Sequence, residues 1–474
     1  MNLLRWARAN GCPLNRDVCA RAAEGGHLDV LKWARENDCT WDAETTKAAA
    51  YHGDIEVLKW ARENGCPWQA TVCEAAARYH PEVLKWARAN DCPWDYRTCS
   101  GAAEGGHLDV LKWAIENGCS WNVYTCRVAA GGGHLEMLKW AREQGCPWDA
   151  SCFYSAAEGG NIEMMTWMKD NDCPWGADVC SGAAKAGNLE ALKWLRANGC
   201  SWNPVTCASA AGVGRLDILQ WAREQGCPWN GTAPVFAASE GHLDVLKWLK
   251  KNDCPFTNYT STAAASKGHF EVLKFLRENG CWSGDPAIYW LARRGDLEGL
   301  KWVHENGCEW QESFCGNAAC GGQLEALKWL REVVGCPWDE NTCYQAARFG
   351  HLDVLKWAIE NGCPVDETAC TGAAEAGEIT ILRWIRENGH PWDEDVCAIA
   401  AKYGHFRTLK WLRGQGCSWN SDTCDNAAEA GHLDMLKWAR TNGCQWTKRT
   451  LFIAQRRGDP ELLAWVKANG CPEE

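Results

Sequence analysis

The chain has 474 residues, with 49 Lys and Arg against 61 Asp and Glu, for a net charge of −12 at pH 7. An acidic chain without a basic stripe is not expected to bind nucleic acid. With mean hydropathy of −0.40 and no apolar run long enough to span a bilayer, no membrane partner is expected either. Length alone would suggest about three globular domains, but 32 Trp and 30 Cys demand a different explanation.

The opening stretch, "MNLLRWARANGCP", carries Arg5 and Arg8 inside its short apolar run and so does not read as a secretory signal. It is instead part of a motif that returns along the whole chain. "HLDVLKW" stands at 27–33 and again at 107–113, 242–248 and 351–357. Following its Trp gives Trp6, Trp33, Trp60, Trp86 and onward to Trp465, with Phe275 substituting once. Of the 17 intervals in that series, 15 are 27 residues, one is 26 (through "RYHPEV") and one is 28 (through "REVVGC"). A fixed period of this size signals stacked repeats, so residues 1–474 are expected to form one elongated domain rather than several globular ones.

Residues 95–121 show the physics of one unit. Asp95 sits where a helix N-cap is wanted, and the equivalent position is Asp or Asn in 11 of 17 units. A first helix follows, whose Ala102 and Ala103 let a neighbouring helix approach closely. Gly106 breaks it. The second helix, "HLDVLKWAIEN", has an apolar side of Leu108, Val110, Leu111, Trp113 and Ala114 and ends at Asn117-Gly118, a pair suited to a left-handed cap. Helices of about ten residues are marginal alone, so the units must stack and stabilise one another. Burial of the recurring Trp, about 150–250 Å² each, is expected to drive that stacking.

The string "AAEGGHLDVLKWARENDCTWD" at 22–42 resembles the ankyrin repeat. Its "AA", its "GH", the apolar second helix and a "GCPWD" in place of "GADVN" fall in register across essentially the whole chain, which is similar to the Trp- and Cys-rich ankyrin families of protists and large DNA viruses. The resemblance implies an all-α, ankyrin-like solenoid of about 18 helix-turn-helix units. The unit is shorter than the family's period of about 33 residues, and the missing stretch is where the family carries a β-hairpin finger, so the fingers are expected to be truncated or absent. The chain begins within a second helix, at Leu3, Leu4 and Trp6, without its first helix. An upstream segment or a docking partner is the expectation there.

Seventeen cysteines follow the second helix (Cys12, Cys39, Cys66 and so on), twelve sit in the first helix, and Cys320 occupies a slot held elsewhere by Glu24 or Glu104. There is no C-x-x-C, and zinc needs four ligands converging on one point. The cysteines therefore read as small buried apolar residues, with Cys320 the thiol expected at the surface. Eight histidines, from His27 to His432, occupy the turn before the second helix and read as a ladder of turn hydrogen bonds. No nucleophile elbow, metalloprotease, Walker or dinucleotide motif occurs. No catalytic residue, metal site or cofactor is assigned, and an enzyme is not expected.

The lysines and acids of "KWARE" read as a solvated outer face. What varies is the first helix, at the two residues after its Cys and the two after "AA", which line the concave side in ankyrin-like stacks. Here stand Arg78, Tyr79, Tyr289, Trp290, Arg293, Arg294, Arg348, Phe349, Lys402, Tyr403, Arg456 and Arg457. Arg and aromatic side chains are the types that anchor interfaces, and Trp290 is the one Trp the repeat does not require. These observations lead to a monomeric, non-enzymatic scaffold that binds a protein or peptide on its first-helix face, in a reducing cytosolic or nuclear compartment. The alternatives are an adaptor that presents substrates to a ubiquitin ligase and, more remotely, a redox or metal-binding protein.

Overall fold

The computed structural model describes residues 2–9 and 15–472; Cys12 and the side chain of Leu3 lie outside the described residues. Local chemistry dictates the hairpins. In nine of the eleven Asp/Asn cap positions the side chain accepts from a backbone N–H two residues on, as Asp95 does from Arg97; Asn15 and Asp339 do not. The first helix then runs about two and a half turns, as in Tyr96–Glu104, and Gly106 turns the chain at φ +73. A Cβ on Gly106 would lie 2.6 Å from the His134 ring of the next unit, so conformation and close approach both demand glycine. The second helix, here Leu108–Glu116, ends at a left-handed Gly118. Where "ND" replaces "NG", Asp38, Asp91, Asp172 and Asp253 take the positive φ instead.

Thirty-five α-helices result, 18 second helices and 17 first helices, and no strand occurs among the described residues. No β-hairpin finger occurs among the described residues. The two irregular intervals have local solutions. The extra residue before Trp357 is absorbed as a π-helical turn at Leu330–Val334 that leaves Val333 exposed. The missing residue before Trp86 removes the Gly turn, and His80 serves both as the end of Ala70–Tyr79 and the start of Pro81–Ala89.

The chain divides into two compact units, Met1–Ala237 with Asp244–Pro255, and Ala238–Leu243 with Phe256–Glu474. Within each, the strong helix contacts lie inside one hairpin or between adjacent hairpins. In the first unit the core is a continuous column of Leu, Val, Ala and Cys: Cys73, Ala76, Leu84, Cys99, Ala103 and Leu111 are all fully buried. The second repeats it with Leu327, Cys343, Ala347, Leu355, Cys370 and Leu382.

One expectation needs correction. The Trp residues do not fill this column. Apart from buried Trp446 and exposed Trp6 and Trp290, they are half-buried on its rim, where each turn Trp meets the helix Trp of the next hairpin, mostly edge to face, as Trp41 and Trp60 do at 5.7 Å. An indole is too large for an interior whose neighbouring helices touch through Ala. The "KWARE" arginine, to which the sequence reading gave no role, is tied to the turn that follows its helix. Arg62 donates to the Cys66 carbonyl at 2.6 Å and lies 4.2 Å over the Trp68 ring. Arg142 does the same with Cys146 and Trp148, and Arg440 with Cys444 and Trp446. The lysines do face solvent, in i,i+3 pairs such as Lys139 with Glu136.

Candidate functional site: the first-helix face

Of the fifteen large apolar side chains exposed among the described residues, twelve belong to first helices or to the residue that ends them; Trp6, Ile162 and Val333 are the exceptions. In the first unit, Tyr51 and Tyr79 pack edge to face with centroids 4.7 Å apart while remaining about half exposed. Arg78 leans on the Tyr79 ring and is ion-paired with Glu104 of the next hairpin.

In the second unit the expected residues converge more closely. The Arg293 guanidinium lies 5.5 Å from the Trp290 ring and 5.6 Å from Phe349. Arg348 also lies 5.8 Å from the Phe349 ring, pairs with Glu375 at 2.9 Å and donates to the Tyr344 hydroxyl. Tyr289 is half-buried against Phe314, whereas Lys402 and Tyr403 are exposed side by side. Arg456 pairs with Glu429 at 3.1 Å. Arg294 and Arg457 are committed to the chain itself, each donating to a backbone carbonyl of the preceding hairpin, Ser266 and Glu429 respectively.

Sequence reading passed over Tyr51, Tyr96, Tyr124, Phe236, Tyr259 and Phe452, all exposed on first helices. Aligning the units on their N-caps would have found them, since Phe153 and Phe314 are the fully buried first-helix aromatics among the described residues. The same alignment exposes a charge ladder at the ninth residue after the cap. Arg78 meets Glu104 there, Lys185 meets Glu158, Arg348 meets Glu375, and Arg456 meets Glu429.

The turn histidines bridge hairpins as expected: the Nε2 atoms of His107, His269, His351 and His405 lie within hydrogen-bond reach, 2.8–3.2 Å, of the carbonyls of Arg78, Ser239, Cys320 and Glu375. Comparing cysteines of successive units hid a contact inside each unit. The first-helix thiol meets the turn thiol in ten hairpins, among them Cys99 with Cys119 and Cys424 with Cys444. The turn thiol in turn donates to the N-cap carbonyl, as Cys119 does to Asp95 at 3.2 Å. These thiols tie the two ends of a hairpin together. Its turn partner and burial hold the Cys99 thiol far above the ordinary range, and burial with the nearby Asp42 carboxylate pushes Cys66 up to about 12, so both are poor nucleophiles; the hydrogen bond from Cys99 lowers Cys119 instead. Among the described residues no three His, Cys, Asp or Glu side chains are placed to hold a metal ion. Among the described residues the half-exposed thiols are Cys281, Cys308 and Cys320; only the last was anticipated.

No helix among the described residues is long and apolar enough to cross a membrane. No known family matches the chain, and no curated protein does. Among solved structures, a maize pentatricopeptide repeat protein, PPR10, is similar at 15% identity and a TM-score of 0.31, over 99% of this chain and 86% of that one. The same protein in complex with an 18-nucleotide psaJ RNA element aligns at 12% and 0.25 over 98% and 91%. The human ASB11 ankyrin repeat domain aligns at 20% and 0.30 over 37% of this chain and 96% of its own. At such identities and scores, nothing about this chain's partner follows from them. On its own structure, the chain is an all-helical repeat protein.

Proposed function

We propose that the chain is a non-enzymatic binding scaffold of the ankyrin type, which holds a protein or peptide on its first-helix face. One observation carries this reading: ten of the eleven exposed aromatic side chains among the described residues stand on first helices or their last residue. The second helices, which have as many chances to expose one, present Lys–Glu pairs instead. Exposed aromatics beside arginines are what interface anchors require, and scattered surface drift would not respect one helix of every pair. The abundance of free thiols suits a reducing compartment. The test is capture of partners from the native cell by the full chain and by a variant with Arg348, Phe349, Lys402 and Tyr403 all changed to Ala. Loss of a specific partner from the variant, with its helical content and melting unchanged, supports the reading. Unchanged capture by the variant refutes it.

A further inference from the structure

The charge ladder has one interruption. At the ninth residue after the cap, three successive hairpins of the second unit present Arg293, Cys320 and Arg348. The flanking bases match those elsewhere, but the middle position, which is Glu104 or Glu375 beside other arginines, here holds a thiol that has no charge and a shorter side chain. The consequences are visible around it. Among the described residues Arg293 has no ion-pair partner, and its guanidinium lies against the rings of Trp290 and Phe349. A cavity of about 240 Å³ opens beside Cys320, bordered by Arg293, Arg348, Ser313, Asn341 and Phe349, with no acidic residue in its wall. The hydroxyl of Ser313 is buried there without a hydrogen-bond partner. Asn341 accepts from Gln345 through its oxygen, which leaves its amide N–H groups turned toward the backbone at Gly316, also in the cavity wall. Burial raises the Cys320 thiol pKa, an effect opposed by both arginines, so a neutral thiol rather than a thiolate faces the two cations.

We propose that this slot receives the carboxylate of an aspartate or glutamate side chain from the bound partner, completing in trans the ladder that the chain completes with its own Glu elsewhere. Arg293 supplies the unpaired guanidinium, Ser313 and Asn341 supply neutral donors, and the exposed ring of Phe349 is covered by an apolar neighbour of the acid. A carboxylate fits better than a phosphate because the occupants of the equivalent slots are carboxylates held by one base each. The inference rests on the reading of the first-helix face as the partner site and narrows the partner to an acidic segment.

The experiment uses the full chain and three octapeptide pools, with Glu, Gln or phosphoserine fixed at the fourth position and the other positions random. Retention is measured together with the alkylation rate of Cys320, read by peptide mass spectrometry against Cys281 and Cys308 as internal references. The Glu pool is expected to be retained about tenfold better than the Gln pool, the scale of one charge-assisted hydrogen-bond set, and to slow alkylation at Cys320 alone. Arg293→Gln removes that preference, and so does Cys320→Glu, which fills the slot from within and folds because Glu104 and Glu375 occupy the same position. Cys320→Ser keeps it. Equal retention of the Glu and Gln pools overturns the proposal, as does undiminished Glu preference in Cys320→Glu. Stronger retention of the phosphoserine pool overturns the carboxylate assignment. If Cys320→Glu still captures the native partner while the Arg348/Phe349/Lys402/Tyr403 variant does not, the slot is wrong and the scaffold reading stands. If neither variant alters capture, the scaffold reading itself fails.

Discussion

Two cations on one helix, three residues apart, are predicted to differ in their contribution by several-fold. Lys139 pairs with Glu136 at 2.7 Å, with the glutamate 77% exposed, so Lys139→Ala should cost about 0.2–0.5 kcal/mol, the range of an i,i+3 pair on a helix surface. Arg142 donates to the Cys146 carbonyl at the end of its own helix and lies 4.3 Å over Trp148. Trp148 in turn meets Trp167 of the next hairpin at 5.7 Å. A charge-assisted hydrogen bond contributes about 1.5–3 kcal/mol and a partly exposed cation–π contact about 0.5–1 kcal/mol. Because Arg142 is only half-buried, the lower ends apply, and Arg142→Ala should cost about 2 kcal/mol. Arg142→Lys should lose most of this, since an ammonium cannot both stack on the ring and reach the carbonyl. The assay is native-state hydrogen exchange at the amides of 144–150, where about 2 kcal/mol appears as exchange faster by about thirtyfold. Equal effects of Lys139→Ala and Arg142→Ala would refute the claim that the arginine clamps the turn.

Three further outcomes are expected. Asp95→Ala should cost about 1 kcal/mol, whereas Asp339→Ala should cost clearly less, because Asp339 caps nothing and leaves one carboxylate oxygen buried without a partner; paired thermal melts decide this. Asp425 is almost fully buried, and burial raises its pKa above the ordinary 3.8 despite the hydrogen bond it accepts from Thr450. A carboxyl whose folded pKa is raised stabilises the fold when protonated and loses that contribution as pH rises through the folded pKa. Asp425→Asn should therefore raise the melting temperature at pH 7, and the gain should shrink as pH falls toward 4; a gain that grows on acidification would contradict it. Brief alkylation of the native chain should modify Cys281, Cys308 and Cys320 before any buried thiol such as Cys66, whose pKa is pushed up to about 12. Early labelling at Cys66 or Cys99, read by mass spectrometry, would show that the hairpins open readily.

Much of this architecture could be read from one unit, because each signal is local. The cap at Asp95, the left-handed Gly118 and the apolar stripe of Leu108–Glu116 act within a few residues, and the period then repeats them. Interactions between turns of chain were harder to see. Arg142 looks like any surface cation until the loop returns the Cys146 carbonyl beneath it. The contact between Cys99 and Cys119 spans 20 residues within one hairpin, so comparing equivalent positions across units hides it. The placement of Trp was misjudged for a related reason: composition signals a large apolar side chain but not that interhelical spacing set by Ala pairs excludes it. The proposed binding face was legible as a set of variable columns. Which arginines are free was not, since Arg293, Arg294 and Arg348 have the same chemistry and differ only in what the preceding and following hairpins place beside them.

The assignment of binding to first helices is tested most directly by lysine-specific crosslinking of the full chain to its captured partner. First and second helices carry separate lysines: Lys47, Lys185, Lys267 and Lys402 on the former, Lys32, Lys59, Lys112 and Lys139 on the latter. Crosslinks concentrated on the first set are the predicted result. Crosslinks concentrated on the second set would contradict the account.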